Sequence, residues 1–148
     1  MKYSIKDIFN IPVKESLCVE GRPQSDNPFI PEVDSDYVFR KEILSDVLSW
    51  YMMGANDGLY LTGPTGSGKS SIILQTAARL NIPVMVVTGH SRLETPELVG
   101  HHVIVNNSME YVYGPLAMAM KEGHWFLLDE IDLLDPATAA GLNGIVEG

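Results

Sequence analysis

A chain of 148 residues, 45% hydrophobic and 20% charged, has the composition of one globular domain with a sizeable core. Its 10 basic and 19 acidic side chains leave a net charge of −9, which argues against broad binding along a nucleic-acid backbone, since that requires a basic face. A lone cysteine, Cys18, cannot form an internal disulfide and fits a reducing compartment, while no stretch approaches the ~20 apolar residues that span a bilayer. A cytoplasmic protein with neither membrane nor nucleic-acid partner is therefore expected.

Residues 1–36 carry Pro12, Pro23, Pro28 and Pro31 among polar residues and read as an N-terminal arm with one short helix at Ser4 to Phe9. From residue 37 to 148 the pattern is that of a folded core. Ile43, Leu44, Val47, Leu48, Tyr51 and Met52 recur at helical spacing before Gly54, predicting an amphipathic helix over 40–53. "GLYLT" (58–62) reads as a short strand, "KSSIILQTAARL" (69–80) as a helix ending near Asn81, and "PVMVVT" (83–88) as a strand buried on both faces. Strand, glycine loop, helix and strand make a βαβ unit, so the fold class is α/β with a parallel sheet flanked by helices.

"LETPELVG" (93–100) predicts a short helix with Thr95 as N-cap and Pro96 at its first position. Two β-prone runs around Asn106, Asn107 and Ser108 predict a hairpin. A helix over 114–123, a buried strand over 124–130 and a helix running from the Asp135 cap and Pro136 to Val146 complete the reading. Met52, Met53, Met118 and Met120 are expected as core filler, and Asp132 and Asp135 as capping residues. His90, His101, His102 and His124 fit no zinc spacing.

The chemistry is concentrated in "GPTGSGKSS", Gly63, Pro64, Thr65, Gly66, Ser67, Gly68, Lys69, Ser70 and Ser71. The glycines let the backbone wrap a phosphate, and successive N–H groups point inward at a helix N-terminus whose dipole favours an anion. Lys69 can reach the β and γ phosphates of a nucleotide, and Ser70 offers its hydroxyl to Mg²⁺. The second motif is "WFLLDE", where Asp129 closes a strand at the edge where open α/β sheets bind ligands. Asp129 is expected to hold Mg²⁺, and Glu130 to polarise the water that attacks the γ-phosphate. A carboxylate that activates water argues against a phosphotransferase, and no N-K-x-D segment of a guanine-specific switch is present.

"GPTGSGKSS", "LVG" (98–100), the hairpin and "GPLAMAMKEGHWFLLDEIDLLDPATAAGLNGIVEG" resemble the MoxR and chelatase branch of the AAA+ ATPases, P-loop NTPases whose second core helix is interrupted by a β-hairpin. "KDIFNI", "PFIPEVDSDYVFR", "AARLNIPV" and "SRLETPELVG" are similar to CobS, the ATPase subunit of aerobic cobaltochelatase. The resemblance implies ATP with Mg²⁺, adenine near Val38 and Phe39, a homo-oligomeric ring, and a partner bearing a von Willebrand A-type metal-binding domain.

The family's later core strands, sensor, arginine finger and helical lid find no counterpart in residues 1–148, so a C-terminally truncated core is expected. Arg22, Arg40, Arg79 and Arg92 are the only arginines, and none stands at the finger position. Such a finger contributes about 10³ to 10⁵ in turnover. The resemblance also implies a sheet in which 58–62 lies between two strands absent from this sequence; it then either pairs directly with 124–129 or belongs to a longer protein. Two functions follow: an ATPase core that couples hydrolysis to remodelling of, or metal insertion by, a partner, or a nucleotide-binding interaction module without turnover.

Overall fold

The computed structural model describes residues 1–54 and 57–146; residues 55, 56, 147 and 148, all within the range expected for the core, lie outside that description. Two units form, Met1–Pro83 and Val84–Gly148.

In the first unit, strand β1 (Lys2–Ser4) runs into helix α1 (Ile5–Phe9), with the Ser4 hydroxyl accepting from the Asp7 amide as N-cap. β1 pairs antiparallel with β2 (Cys18–Glu20), Tyr3 opposite Val19. This small ribbon is tied to the helix that follows the glycine loop. The Arg22 amide donates to the Leu80 carbonyl, and Asn81 Nδ2 donates to the Tyr3 hydroxyl.

Helix α2 (Lys41–Met53) ends at Gly54 in the left-handed conformation and buries Leu44, Val47 and Leu48, the i, i+3, i+4 face its spacing predicts. Helix α3 (Lys69–Leu80) contacts both α1 and α2, burying Ile72, Ile73, Ala77 and Leu80. Thr76, fully buried on α3, returns its hydroxyl proton to the Ile72 carbonyl at 2.7 Å. Met52 and Met53 lie in the last turn of α2, beyond its buried face, and at 54% and 77% exposure they are not the core filler expected.

The expected strand over 58–62 does not form, and Tyr60 is 69% exposed. A β-prone run becomes a strand only when another strand satisfies its N–H and C=O groups. Among the described residues none pairs with it, residues 125–129 included.

The second unit is built on a parallel pair, β3 (Val84–Thr88) with β6 (Trp125–Asp129), in a register that sets Val86 beside Leu127 and Thr88 beside Asp129. Between them in the chain come helix α4 (Thr95–Val99), the hairpin of β4 (Gly100–Val105) and β5 (Ser108–Tyr113), and helix α5 (Pro115–Glu122). A 3₁₀ turn (Ile131–Leu133) and helix α6 (Pro136–Val146) follow β6. One apolar cluster joins Leu93, Leu98, Leu116, Leu134 and Leu142, and Val87, Phe126 and Leu128 pack against it from the sheet.

Three details differ from expectation. β3 is not buried on both faces: Val87 meets the cluster, whereas Val86 on the other face is 50% exposed. The N-cap of α4 is Glu94, not Thr95, because the Glu94 and Glu97 side chains form a reciprocal capping box with the two backbones. Met120 is 63% exposed in the last turns of α5, so it is not the core filler expected. The hairpin turns on Asn106 and Asn107, both at positive φ (50° and 62°), which is the two-residue connection whose twist suits paired strands; Ser108 already belongs to β5.

Candidate functional site

Gly66 and Gly68 hold φ of 75° and 85°, the left-handed region that a side chain disfavours, so the loop's shape requires them. Gly68 is the N-cap of α3, and Lys69, Ser70 and Ser71 form the first turn, where backbone N–H groups have no intrahelical acceptor. Lys69 Nζ turns back over the loop and donates to the carbonyls of Gly63 and Pro64, both at 2.9 Å. The Ser67 amide closes the loop onto the Pro64 carbonyl at 3.3 Å. Pro64, Thr65 and Gly66 are exposed, and Ser67 to Ser70 are half-buried.

This cradle fits a phosphate chain. It combines a helix N-terminus, a backbone stripped of Cβ atoms at its turns, and an ammonium whose partners there are neutral carbonyls that an anion can outcompete. The Ser70 hydroxyl, in the first turn of α3, is a hard oxygen donor of the kind Mg²⁺ prefers.

Val38 and Phe39 lie in the same unit, in the irregular segment before α2. Val38 is 84% exposed, while Phe39, at 6%, is a packing residue, its ring edge-on to Phe9 (5.0 Å) and Tyr37 (4.8 Å). Burial draws the Arg79 guanidinium, 4.8 Å from the Phe39 ring centre, below its ordinary pKa, against the opposing pull of Asp34.

In the second unit Asp129 ends β6 and Glu130 follows at φ 54°, ψ 44°, a left-handed conformation rare for a residue with a long side chain. Its backbone is over-determined. The Glu130 amide donates to Asp129 Oδ1 at 3.0 Å, and its carbonyl accepts from the Leu133 amide at 3.0 Å. Gly89, just past β3, donates its amide to the Asp129 carbonyl at 2.7 Å, and a Cβ there would stand 2.5 Å from the Glu130 carbonyl oxygen. The bend thus swings Glu130 out of the strand's alternation and leaves its carboxylate exposed. Strain of this kind, held by its surroundings, is found where a side chain must be aimed.

Gly63 to Ser71 therefore stand together in one unit, and Asp129 and Glu130 stand together in the other. Residue patterning missed Gly89, Gln75 and Arg79. Gly89 is legible only through its close approach to Glu130, and Gln75 and Arg79 through partners some 41 to 45 positions away in sequence.

The family described as AAA domain (dynein-related subfamily) matches residues 58–148. The chain is also similar to the uncharacterized protein YojN of Bacillus subtilis, 38% identical over 109 residues that cover 71% of this chain and 35% of YojN. A further relative is the uncharacterized protein SSP1341 of Staphylococcus saprophyticus, 34% identical over 120 residues, covering 77% of this chain and 45% of that protein. The chain spans less than half the length of these curated relatives. No helix among the described residues is long and apolar enough to cross a membrane.

Proposed function

The chain belongs to the dynein-related subfamily of AAA domains, and we propose that it is an ATP-binding, ATP-hydrolysing core of the MoxR and chelatase type. The observation that carries this reading is the glycine loop at the N-terminus of α3, with Lys69 folded over it, inside the segment that matches the family.

In this reading Gly63 to Ser71 wrap the triphosphate: the backbone N–H groups at the loop and first turn of α3 bind phosphate oxygens, and Lys69 exchanges its two carbonyl partners for the β and γ phosphates. Val38, with Phe39 behind it, flanks the adenine. Mg²⁺, held through Ser70 and Asp129, would neutralise charge on the phosphates. Glu130 accepts the proton of the water that attacks the γ-phosphorus; the bond from that phosphorus to the bridging oxygen breaks and ADP leaves. The exposed carboxylate and left-handed backbone at Glu130 support that role.

The hairpin between α4 and α5 and the resemblance to CobS support a place in a ring-shaped assembly that remodels a partner or drives metal insertion. Glu130→Gln tests the catalytic half of the proposal. It is expected to abolish turnover while ATP still binds, whereas Lys69→Ala weakens binding and turnover together. Wild-type protein that binds ATP but is indifferent to Glu130→Gln would favour a nucleotide-binding module without turnover.

A further inference from the structure

Gln75 and Arg79 stand four residues apart on α3 and therefore share a face. Across from them, residues 32–40 have no helix or strand to satisfy their backbone, so their N–H and C=O groups need other partners. The Gln75 amide supplies two: Oε1 accepts from the Asp34 N–H at 3.0 Å, and Nε2 donates to the Glu32 carbonyl at 3.1 Å. One side chain thus does what a neighbouring strand would do. Arg79 adds a third point by donating to the Asp34 carbonyl at 2.8 Å, and a hydrogen bond to Gln75 Oε1 at 2.5 Å fixes the amide's orientation. Its guanidinium then lies against the Phe39 ring.

The consequence for the segment is directional. Phe39 is drawn inward to 6% exposure, and Val38 beside it is presented outward at 84%. The helix that makes this tie is the one whose first turn carries Lys69, so the phosphate loop and the anchor of the 32–39 segment ride on a single rigid element.

We infer that Gln75 and Arg79 are positioning residues for the base of a bound purine nucleoside triphosphate, fastening the segment that carries Val38 to the phosphate-loop helix so that base and phosphates are read as one body. This rests on the proposed reading of Val38 and Phe39 as the base side of an ATP site. Neither residue touches the nucleotide; both act through the segment they hold.

The test compares binding of ATP and of inorganic tripolyphosphate, each with Mg²⁺, to the full chain by calorimetry. The two ligands share the phosphate chain and differ by the nucleoside. Gln75→Ala is expected to weaken ATP about tenfold, the scale of one to two lost hydrogen bonds, and to leave tripolyphosphate within about twofold. Gln75→Glu keeps the length and the acceptor for Asp34 but loses the donor to Glu32, and should fall between wild type and alanine. A merely structural role would lower the melting temperature and weaken both ligands in proportion. That outcome, or no change for either ligand, would overturn the inference, as would equal wild-type affinity for the two. Wild-type protein that binds neither, or binding untouched by Lys69→Ala, would overturn the nucleotide reading and this inference with it.

Discussion

The Lys69 ammonium lies 2.9 Å from the Gly63 carbonyl oxygen, so the first residue of α3 reaches back to the start of the loop that precedes it. With a second bond to Pro64 it braces the loop from within. A phosphate must displace both bonds, and charge-assisted contacts of about 1.5 to 3 kcal/mol replace them. Lys69→Ala should therefore weaken ATP by about 10- to 100-fold or more in calorimetry. Its melting temperature should stay close to wild type, because the lost bonds are exposed to water.

Glu130 pays for its aim in conformation. A left-handed backbone costs an ordinary residue about 1 kcal/mol that glycine does not incur. Glu130→Gly should thus raise the thermal stability of the chain, by up to about 1 kcal/mol, while eliminating hydrolysis. Denaturant melts set beside a phosphate-release assay would show the two effects moving in opposite directions; a destabilised glycine variant would contradict the strain.

Gly89 tests the same bend from the other strand. A Cβ at this position would meet the Glu130 carbonyl oxygen at 2.5 Å and the Asp129 carbonyl oxygen at 3.1 Å, and both are backbone atoms, which cannot swing aside as a side chain would. Gly89→Ala is expected to destabilise by about 1 to 3 kcal/mol and to lower turnover more than ATP binding. Equal stability of the alanine variant in urea would show that the strand ends are more loosely held than the distances state.

Much of this is legible in the sequence. α3 runs from Lys69 to Leu80 as its spacing predicts, Asn81 closes it, and the Asn106–Asn107 turn sits where the β-prone runs part. These are local signals, set by periodicity and by residues that tolerate positive φ. The strand expected over 58–62 failed because a strand is a property of two segments, and its β-prone residues say nothing about a partner. Glu94 displaced Thr95 as cap because a carboxylate three residues from Glu97 can form a reciprocal box, which a threonine search overlooks. The ties from Gln75 and Arg79 to residues 32–34 are contacts across more than forty residues, beyond the reach of any window.

The tyrosines predict an alkaline limit. Burial pushes the Tyr37 phenol above its ordinary value, outweighing the attraction of Arg40 and Arg79, and burial does the same to Tyr51 against Arg22. The unfolded chain then releases these protons at lower pH than the folded chain. The stability they contribute is intact below about pH 10 and lost as pH rises through the folded values. Tyr37→Phe, which cannot ionise, should flatten the fall in melting temperature across that range without altering it at neutral pH. An unchanged alkaline slope would contradict the assignment to Tyr37.

Calorimetric ATP binding by the 148-residue chain in Mg²⁺, run beside steady-state hydrolysis for wild type, Lys69→Ala and Glu130→Gln, tests the central claim most directly. The account predicts saturable binding by wild type and Glu130→Gln, binding weakened at least about tenfold in Lys69→Ala, and no turnover in Glu130→Gln. Binding that survives Lys69→Ala at full strength, or no binding by any of the three, would contradict it.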